Sequence, residues 1–223
     1  MAYILNIDTA VKNASVSISF QGKIVSLAIN NSPHDHAAFI HTAIEKVLQE
    51  AAITINEIQA VSVVYGPGSY TGLRIGMASA KGLCFALQVP LICIGTLELM
   101  TTAMSHQLPK MNYEYLLYPM IDARRMEVFT AGYNEKLEEI MPVQALILDK
   151  NSFTALPKNI IPVFFGDGVD KWKTISTISN AIFPGLPALQ NDFAAMSFIH
   201  FTSGNFAELA YSEPLYVKAF YTN

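Results

Sequence analysis

The 223-residue chain is poor in charge and in cysteine, and both shortages limit what it can be. Charged residues make up 14% of it and the formal net charge is -4, which argues against this chain being the main nucleic-acid-binding surface. The two cysteines, Cys84 and Cys93, stand in apolar contexts, which favours reduced thiols in the cytoplasm over a disulfide framework. Apolar runs are too short for a membrane span, and Asn6 and Asp8 interrupt the first one, so we expect no signal peptide and no membrane association.

Hydrophobic residues, by contrast, make up 52% of the chain, which is ample for one large domain or two smaller lobes. So little surface charge indicates either that another subunit covers apolar surface or that this is a compact, core-rich α/β protein. A polar stretch from 107 to 114 contains Pro109 and is typical of a boundary. We therefore expect an N-terminal lobe at 1–106 and a C-terminal lobe at 107–223.

The first thirty residues predict an antiparallel meander of strands. A strand at 3–7 ends in Asp8, and the segments 14–20 and 24–29 follow, the first of them alternating with a period of two. An acid at the end of a strand can face a phosphate-bound metal, or it can cap its own turn. Turn chemistry favours the second interpretation for Asp8.

A helix is predicted from about residue 34 to 51, with three histidines in its first half: His34, His36 and His41. Metal-binding histidines on a helix are four residues apart, on one face. Here the gaps are two, five and seven residues, so the spacing does not suit a metal site. We expect these histidines to face solvent or an interface.

The stretch from Gly66 to Gly76 joins an apolar strand at 61–65 to a helix that ends before Pro90. A glycine loop between a strand and a helix can present backbone N–H groups to an anion, here from Gly66, Gly68 and Ser69. It is neither a Walker loop, which needs Gly-Lys-Ser/Thr, nor the dinucleotide fingerprint G-x-G-x-x-G.

The small residues of the same segment also permit close packing. They form two sets spaced by four residues, so each set lies on one face of the helix; the sets are Gly72, Gly76, Ala80 and Ala78, Gly82, Ala86. One face can lie on the chain's own sheet and the other on a partner helix. Spacing alone favours packing over ligand binding.

The second part of the chain opens with a predicted hairpin of strands at 115–121 and 126–133. Its turn carries Arg124 and Arg125, which can hold phosphate or an RNA backbone. Alternatively the turn is simply solvated, with the arginines paired to Asp122 or Glu127. Further on, the pattern predicts a strand at 160–165, a glycine turn at 166–168, and helices at 192–199 and 203–211.

Several motifs, in order along the chain, resemble the bacterial TsaB (YeaZ) family, which is related to the TsaD/Kae1 "glycoprotease" family. The most specific is Gly66 to Gly76, GPGSYTGLRIG; the others are Ile7-Asp8-Thr9, the segment that begins at His36, residues 122–128, 166–168, and 214–218. The resemblance implies an α/β, actin-like ATPase fold (ASKHA, ribonuclease H-like) with two lobes, the second degenerate. It also implies a role in making N6-threonylcarbamoyladenosine in tRNA.

The resemblance further implies that this chain is not the catalyst. TsaD relatives carry two metal-binding histidines, four residues apart, and Thr96 and Met100 stand in their positions here. A threonine is a poor ligand, and a thioether favours soft metals. The expectation is a non-catalytic scaffold or activator, a pseudoenzyme subunit. The alternatives are a metal-dependent glycoprotease-like peptidase and a nucleotide-binding regulator.

The partners implied by the resemblance are TsaD, as a heterodimer, the ATPase TsaE, and tRNA through the complex. A homodimer is expected when the chain is alone. The chain needs no cofactor of its own, although ATP or ADP can lie at the junction with TsaD. The interface residues expected on the first-lobe helices are His36, Phe39, Ile40, Tyr70, Thr71, Gly72, Arg74, Gly76 and Ala80.

Overall fold

The structure is a computed structural model that describes residues 2–30, 36–109, 113–157 and 159–218, without the side chain of His36. It contains two compact units: unit 1 comprises Met1–Leu99 and Leu189–Leu215, and unit 2 comprises Met100–Ala188 and Tyr216–Asn223. These bounds differ from the expected lobes, which meet at a single boundary between residues 106 and 107. The segment from Leu189 returns to unit 1 because its helix buries Phe193, Ala194 and Met196 there.

Unit 1 is built on a five-stranded sheet with the strand order β3-β2-β1-β4-β5. The strands are β1 (Tyr3–Asp8), β2 (Ser15–Phe20), β3 (Lys23–Ile29), β4 (Ile58–Gly66) and β5 (Leu91–Gly95). The first three form the predicted antiparallel meander, and β4 and β5 join it as parallel strands. Because β1 and β4 are neighbouring parallel strands, their carboxyl ends lie side by side.

The helices are α1 (His36–Ala51), α2 (Tyr70–Leu87), α3 (Thr96–Gln107), α4 (Val169–Ile175) and α5 (Gln190–Ser203). In unit 1, α1 and α2 pack on one face of the sheet, over a core that includes Leu5, Ile7 and Val63. Helix α5 packs on the opposite face, where Ser197 Oγ donates a 2.8 Å hydrogen bond to Ser62 Oγ on β4. This mixed sheet is thus covered by helices on both faces, which buries its parallel strands.

Unit 2 has a four-stranded sheet with the order β8-β7-β6-β9. Its strands are β6 (Tyr115–Asp122), β7 (Glu127–Asn134), β8 (Glu139–Ile147) and β9 (Ile161–Phe165). Strands β6 to β8 are an antiparallel meander and β9 is parallel to β6, so unit 2 repeats the first four strands of unit 1. An aromatic cluster forms its core; the members are Tyr118, Phe153, Phe164, Trp172 and Phe183.

The repeated meander-plus-parallel arrangement confirms the α/β prediction, and the smaller sheet of unit 2 agrees with a reduced second lobe. Two expectations differ from the structure. Strand β8 was not anticipated, and the helix expected at 203–211 is wrong, because Gly204 adopts a left-handed φ of 69° and ends α5 at Ser203. In the described parts of the chain, no helix combines the length and the apolar character needed to cross a membrane.

Candidate functional site

The glycine loop lies against the turn that follows β1. The backbone N–H of Ser69 donates a 2.8 Å hydrogen bond to the carbonyl oxygen of Ala10. Ser69 is also the N-cap of α2, where its Oγ accepts a hydrogen bond from the N–H of Gly72. A phosphate loop would offer such N–H groups to its ligand, and here two of them are already bonded within unit 1. The geometry therefore favours the packing interpretation of the loop over the anion interpretation.

Gly68 and Gly72 are required because the turn comes so close. A Cβ atom added to Gly68 would lie 2.3 Å from the carbonyl oxygen of Ala10, and one added to Gly72 would lie 2.1 Å from that of Thr9. At Gly76 it would lie 2.2 Å from Thr9 Oγ1. No real side chain fits at such distances. Gly68 and Gly72 therefore permit the loop and the first turn of α2 to touch the backbone after β1, and Gly76 makes room for the Thr9 side chain.

This packing corrects part of the expected interface. Gly72, Gly76 and Ala80 are buried between α2 and its own sheet, and Ile40 of α1 is fully buried as well. Residues buried against the chain's own sheet are not available to a partner, so the expectation that these four residues belong to an external interface is wrong. The first set of small residues therefore belongs to the core.

The opposite face of α2 is exposed. Ala78, Gly82 and Ala86 lie there, and a Cβ added to Gly82 would have no atom within 4 Å among the described residues. Phe85 lies beside them with 72% of its surface exposed. A large aromatic side chain next to a strip of small residues is an unusual outer surface for an isolated helix. Henceforth the outer face of α2 means these four residues.

The expected interface residues at the start of α2 remain on the surface. Tyr70, Thr71 and Arg74 are exposed, and the Arg74 guanidinium carbon lies 4.2 Å from the centre of the Tyr70 ring. This cation–π contact holds the two side chains together, one turn of helix apart. They extend the exposed surface of α2 toward its N-terminus.

Helix α1 packs against α2 on the same face of the sheet, and its side away from the sheet is also on the surface. Phe39 is half-buried against the core, whereas His41 and Thr42 are exposed. His34 and the side chain of His36 lie outside the described residues. Within the described residues, no group of three or more His, Cys, Asp or Glu side chains is arranged to hold a metal.

Asp8 caps its own turn, as turn chemistry favours. Its Oδ1 accepts a 2.9 Å hydrogen bond from the N–H of Ala10. Burial raises the pKa of this carboxyl group from 3.8 to about 6, and the bond from Ala10 opposes that rise. The carboxyl group thus has a local structural partner, and nothing in its geometry requires a metal.

Thr96 and Met100, which stand in the expected histidine positions, are both buried in α3, with 0% and 1% of their surface exposed. Neither side chain faces solvent, where a substrate could reach it. The hydroxyl of Thr96 has no hydrogen-bond partner within the described part of the chain. This position is therefore packed as part of the protein interior.

Arg124 and Arg125 lie at the exposed tip of the β6–β7 hairpin. The acids expected to pair with them have other partners: Asp122 Oδ1 lies 2.7 Å from Lys171 Nζ, and Glu127 Oε2 lies 2.5 Å from Lys218 Nζ. The sequence interpretation missed both lysines because they come from distant segments. It also missed Phe85, although its position three residues after Gly82 places it on the same helix face as the second small set.

Known proteins are similar to this chain in sequence and in structure. A family model described as TsaD, tRNA N6-adenosine threonylcarbamoyltransferase, matches residues 24–187. The tRNA threonylcarbamoyladenosine biosynthesis protein TsaB of Bacillus subtilis is 29% identical over 148 residues, covering 65% of this chain and 62% of that protein. Its Escherichia coli namesake is 27% identical over 228 aligned positions, covering 96% and 94%.

Among solved structures, a Pseudomonas aeruginosa protein described as similar to the peptidase YeaZ superposes with a TM-score of 0.78 at 21% identity, covering 98% of this chain and 100% of that one. This likeness shows that the chain shares the α/β fold of that YeaZ-like protein. The chain spans about 62% of the length of the Bacillus subtilis relative that it matches. Since the family model covers residues 24–187 of 223, the chain belongs to the TsaD family, and the curated relatives described above are named TsaB.

Proposed function

We propose that this chain is a non-catalytic partner of TsaD in the formation of N6-threonylcarbamoyladenosine in tRNA. Its relatives named TsaB are described as biosynthesis proteins for this nucleoside, which supports a role in the same modification. The observation that carries the proposal is the exposed outer face of α2. A strip of small residues beside an exposed phenylalanine fits a helix–helix contact with a partner.

The physical case rests on how closely two helices can approach. Ala78, Gly82 and Ala86 present almost no side chain, so a second helix can lie near the α2 backbone. Phe85 then supplies one large apolar group for a pocket on the partner. Aromatic residues at the centre of an interface commonly contribute about 2 kcal/mol or more to binding. Tyr70 and Arg74, already held together, belong to the residue types that anchor interfaces.

The same surface supports a homodimer when TsaD is absent. A two-fold symmetric pair uses the same patch on both subunits, so the outer face of α2 would contact its own copy. TsaD and a second copy would then compete for one surface. TsaE and tRNA enter this proposal only through the assembled complex.

The non-catalytic assignment is supported by the position of Thr96 and Met100. Both are buried, and neither is an imidazole or carboxylate that a catalytic metal commonly uses. Metal-assisted transfer would need open coordination positions that a substrate can reach. In this proposal the catalytic metal site is supplied by TsaD.

The two cysteines are also poor candidates for a catalytic nucleophile. Burial raises the pKa of the Cys84 thiol and of the Cys93 thiol, each to about 11. A thiol with such a pKa is protonated at neutral pH, whereas a nucleophilic cysteine acts as the thiolate. These two residues are therefore best interpreted as packing groups in unit 1.

The nucleotide-binding alternative would use the glycine loop, but the N–H groups of Ser69 and Gly72 are already bonded to Ala10 and Ser69. Phosphate binding through these two N–H groups would have to break both bonds. We therefore infer that nucleotide is not held by this chain alone. Isothermal titration of the isolated chain with ATP and ADP tests this inference, and micromolar affinity would restore the regulator alternative.

The proposal is tested by assaying threonylcarbamoyl transfer to an unmodified tRNA transcript. The assay compares this chain alone, TsaD from the same cell alone, and the two mixed in equal amounts. We expect no transfer by this chain alone and a large increase in transfer by TsaD when the chain is added. Transfer by this chain alone, or an unchanged rate in the mixture, would contradict the proposal.

A further inference from the structure

We propose that Arg124 and Arg125, at the tip of the β6–β7 hairpin, bind the phosphate backbone of RNA. This inference rests on the proposed function, because that function gives the complex an RNA substrate. It adds a direct contact between this chain and the RNA, which a scaffold that only pairs with TsaD would not need. No other pair of cationic residues is adjacent in the sequence.

The backbone at the tip is the first observation. Arg124 has a φ of 68° and Arg125 a φ of 50°, so two consecutive non-glycine residues are left-handed. Glycine adopts such a left-handed φ at no cost and asparagine and aspartate tolerate it, whereas it is unusual for other residues. Arginine is a poor choice for the turn itself, and non-glycine residues held in this conformation tend to mark functional sites.

The second observation is the charge balance of the hairpin. Asp122 and Glu127 flank the arginines, but they are engaged by Lys171 and Lys218, which come from outside the hairpin. Among the residues that the structure describes, neither guanidinium group forms an ion pair. Asp167 adds a third acid to this group, because its Oδ1 accepts a hydrogen bond from the N–H of Asp122. The four cations still outnumber the three acids, so the tip keeps an excess of positive charge on a chain whose net charge is -4.

The tip is also held in a fixed shape. Ala123 N–H donates to the carbonyl oxygen of Glu127, and Glu127 N–H donates to that of Arg124, both at 3.1 Å. The N–H of Arg124 donates to Asp122 Oδ1 at 2.5 Å. Because the turn is already ordered, little backbone entropy is lost when a ligand binds to the two exposed side chains.

The chemistry of the group favours phosphate. A guanidinium presents a planar fork of N–H donors that matches two phosphate oxygens, and it stays charged at any physiological pH. Adjacent arginines on a rigid turn offer two such forks to a backbone that carries one negative charge per nucleotide. Since phosphates are the same in every nucleotide, this contact would position the RNA without reading its sequence.

The structure itself suggests a variant that separates binding from folding. Arg124→Asn/Arg125→Gly places residues that tolerate a left-handed φ at the two left-handed positions. We expect this variant to unfold at a higher temperature than the wild type, so any lost RNA binding cannot come from misfolding. A matched control is Lys136→Gln/Lys150→Gln, which removes two exposed cations from the same unit.

The experiment uses each version of the chain mixed with TsaD, with fluorescence anisotropy of a labelled, unmodified tRNA transcript measured from 50 to 200 mM NaCl. We expect the Asn/Gly variant to weaken binding about tenfold and to lower the slope of log affinity against log salt by about 1.4 to 1.8, as the loss of two phosphate contacts predicts. The glutamine control should match the wild type in both quantities.

Light scattering of the same mixtures keeps the two proposals distinguishable. If the Asn/Gly variant pairs with TsaD and binds tRNA with wild-type affinity and slope, the RNA contact is wrong while the proposed function stands. If it loses pairing with TsaD, the arginines contact protein and the RNA contact is also wrong. If the wild-type chain does not pair with TsaD at all, the proposed function fails as well.

Discussion

Thr9 Oγ1 donates a 2.7 Å hydrogen bond to the carbonyl oxygen of Gly72, and this bond fixes the first turn of α2 to the end of β1. The two residues are 63 positions apart in sequence, so the contact closes a long loop between the meander and the central helix. Gly72 and Gly76 both border Thr9, and their lack of a side chain makes room for it. The inner face of α2 is therefore set by Thr9, which leaves only the other face for a partner.

Adding a methyl group to the inner face should destabilise unit 1. In Gly76→Ala the new Cβ would lie 2.2 Å from Thr9 Oγ1, so Thr9 must move and its bond to Gly72 is strained. We expect the free energy of unfolding to fall by about 1 to 3 kcal/mol, as for other overpacked cores. Urea denaturation followed by circular dichroism measures the change.

Gly82→Ala is the matched control on the outer face of α2. A Cβ there meets nothing within 4 Å in the described structure, and alanine favours a helix over glycine. We expect Gly82→Ala to raise the free energy of unfolding by about 0.5 to 1 kcal/mol. Equal losses of stability in the two variants would show that both faces of α2 are buried.

Asp8 should make the protein less stable as the pH rises from about 4 to 6. Burial raises its pKa from 3.8 to about 6, so the folded state holds a proton through a range in which the unfolded state releases it. Stability from this group is therefore greatest below pH 4 and is lost as the pH passes 6. The full effect is on the order of 3 kcal/mol, since each pKa unit corresponds to about 1.4 kcal/mol.

The variant Asp8→Asn tests this dependence. An asparagine keeps an Oδ1 acceptor for the N–H of Ala10 but does not ionise. We expect it to be more stable than the wild type at pH 7 and to have a flatter stability profile between pH 4 and 6. Parallel profiles for the two proteins, from thermal melts across that range, would rule out a raised pKa at Asp8.

The aromatic core of unit 2 should depend strongly on Phe164. This fully buried ring lies 5.2 Å from Tyr118, 5.0 Å from Phe153 and 5.7 Å from Trp172, measured between ring centres. We expect Phe164→Ala to lower the free energy of unfolding by about 3 to 5 kcal/mol because it leaves a cavity among these rings.

Trp172 is the single tryptophan of the chain, so its fluorescence reports on unit 2. Phe164→Ala should shift its emission to longer wavelength and lower the urea midpoint seen by fluorescence. Ile147→Ala is the control, because that side chain is 71% exposed and should change stability by less than about 0.5 kcal/mol. A normal midpoint for Phe164→Ala would contradict the packing described.

Much of the fold follows from local sequence patterns. The meander, the strand before the glycine loop and the helix after it each carry their own signal: alternation, a β-branched run, and small residues at helical spacing. Strand β8 lacks a recognisable strand pattern, because it begins at Glu139 and contains Pro142. It lies at the edge of the sheet, where hydrogen bonds on one side only are enough and proline is tolerated.

The assignment of the two faces of α2 could not be predicted in this way. Both sets of small residues have the same spacing, and the choice between them depends on Thr9 and Ala10, which are distant in sequence. The ion-pair partners of Asp122 and Glu127 could not be predicted from the sequence either. Lys171 is 49 residues from Asp122, and Lys218 is 91 residues from Glu127. Contacts of this kind are decided by the tertiary fold and leave no local pattern.

The central claim is that the outer face of α2 pairs with TsaD, and the most direct test is the mass of the mixture by size-exclusion chromatography with light scattering. The wild-type chain should give a heterodimer with TsaD. Phe85→Glu should weaken pairing at least about 30-fold, since it places a charge where an apolar anchor is expected. The control Ile199→Glu, at a 61% exposed position on α5, should pair normally. A heterodimer of wild-type strength with Phe85→Glu would contradict the account.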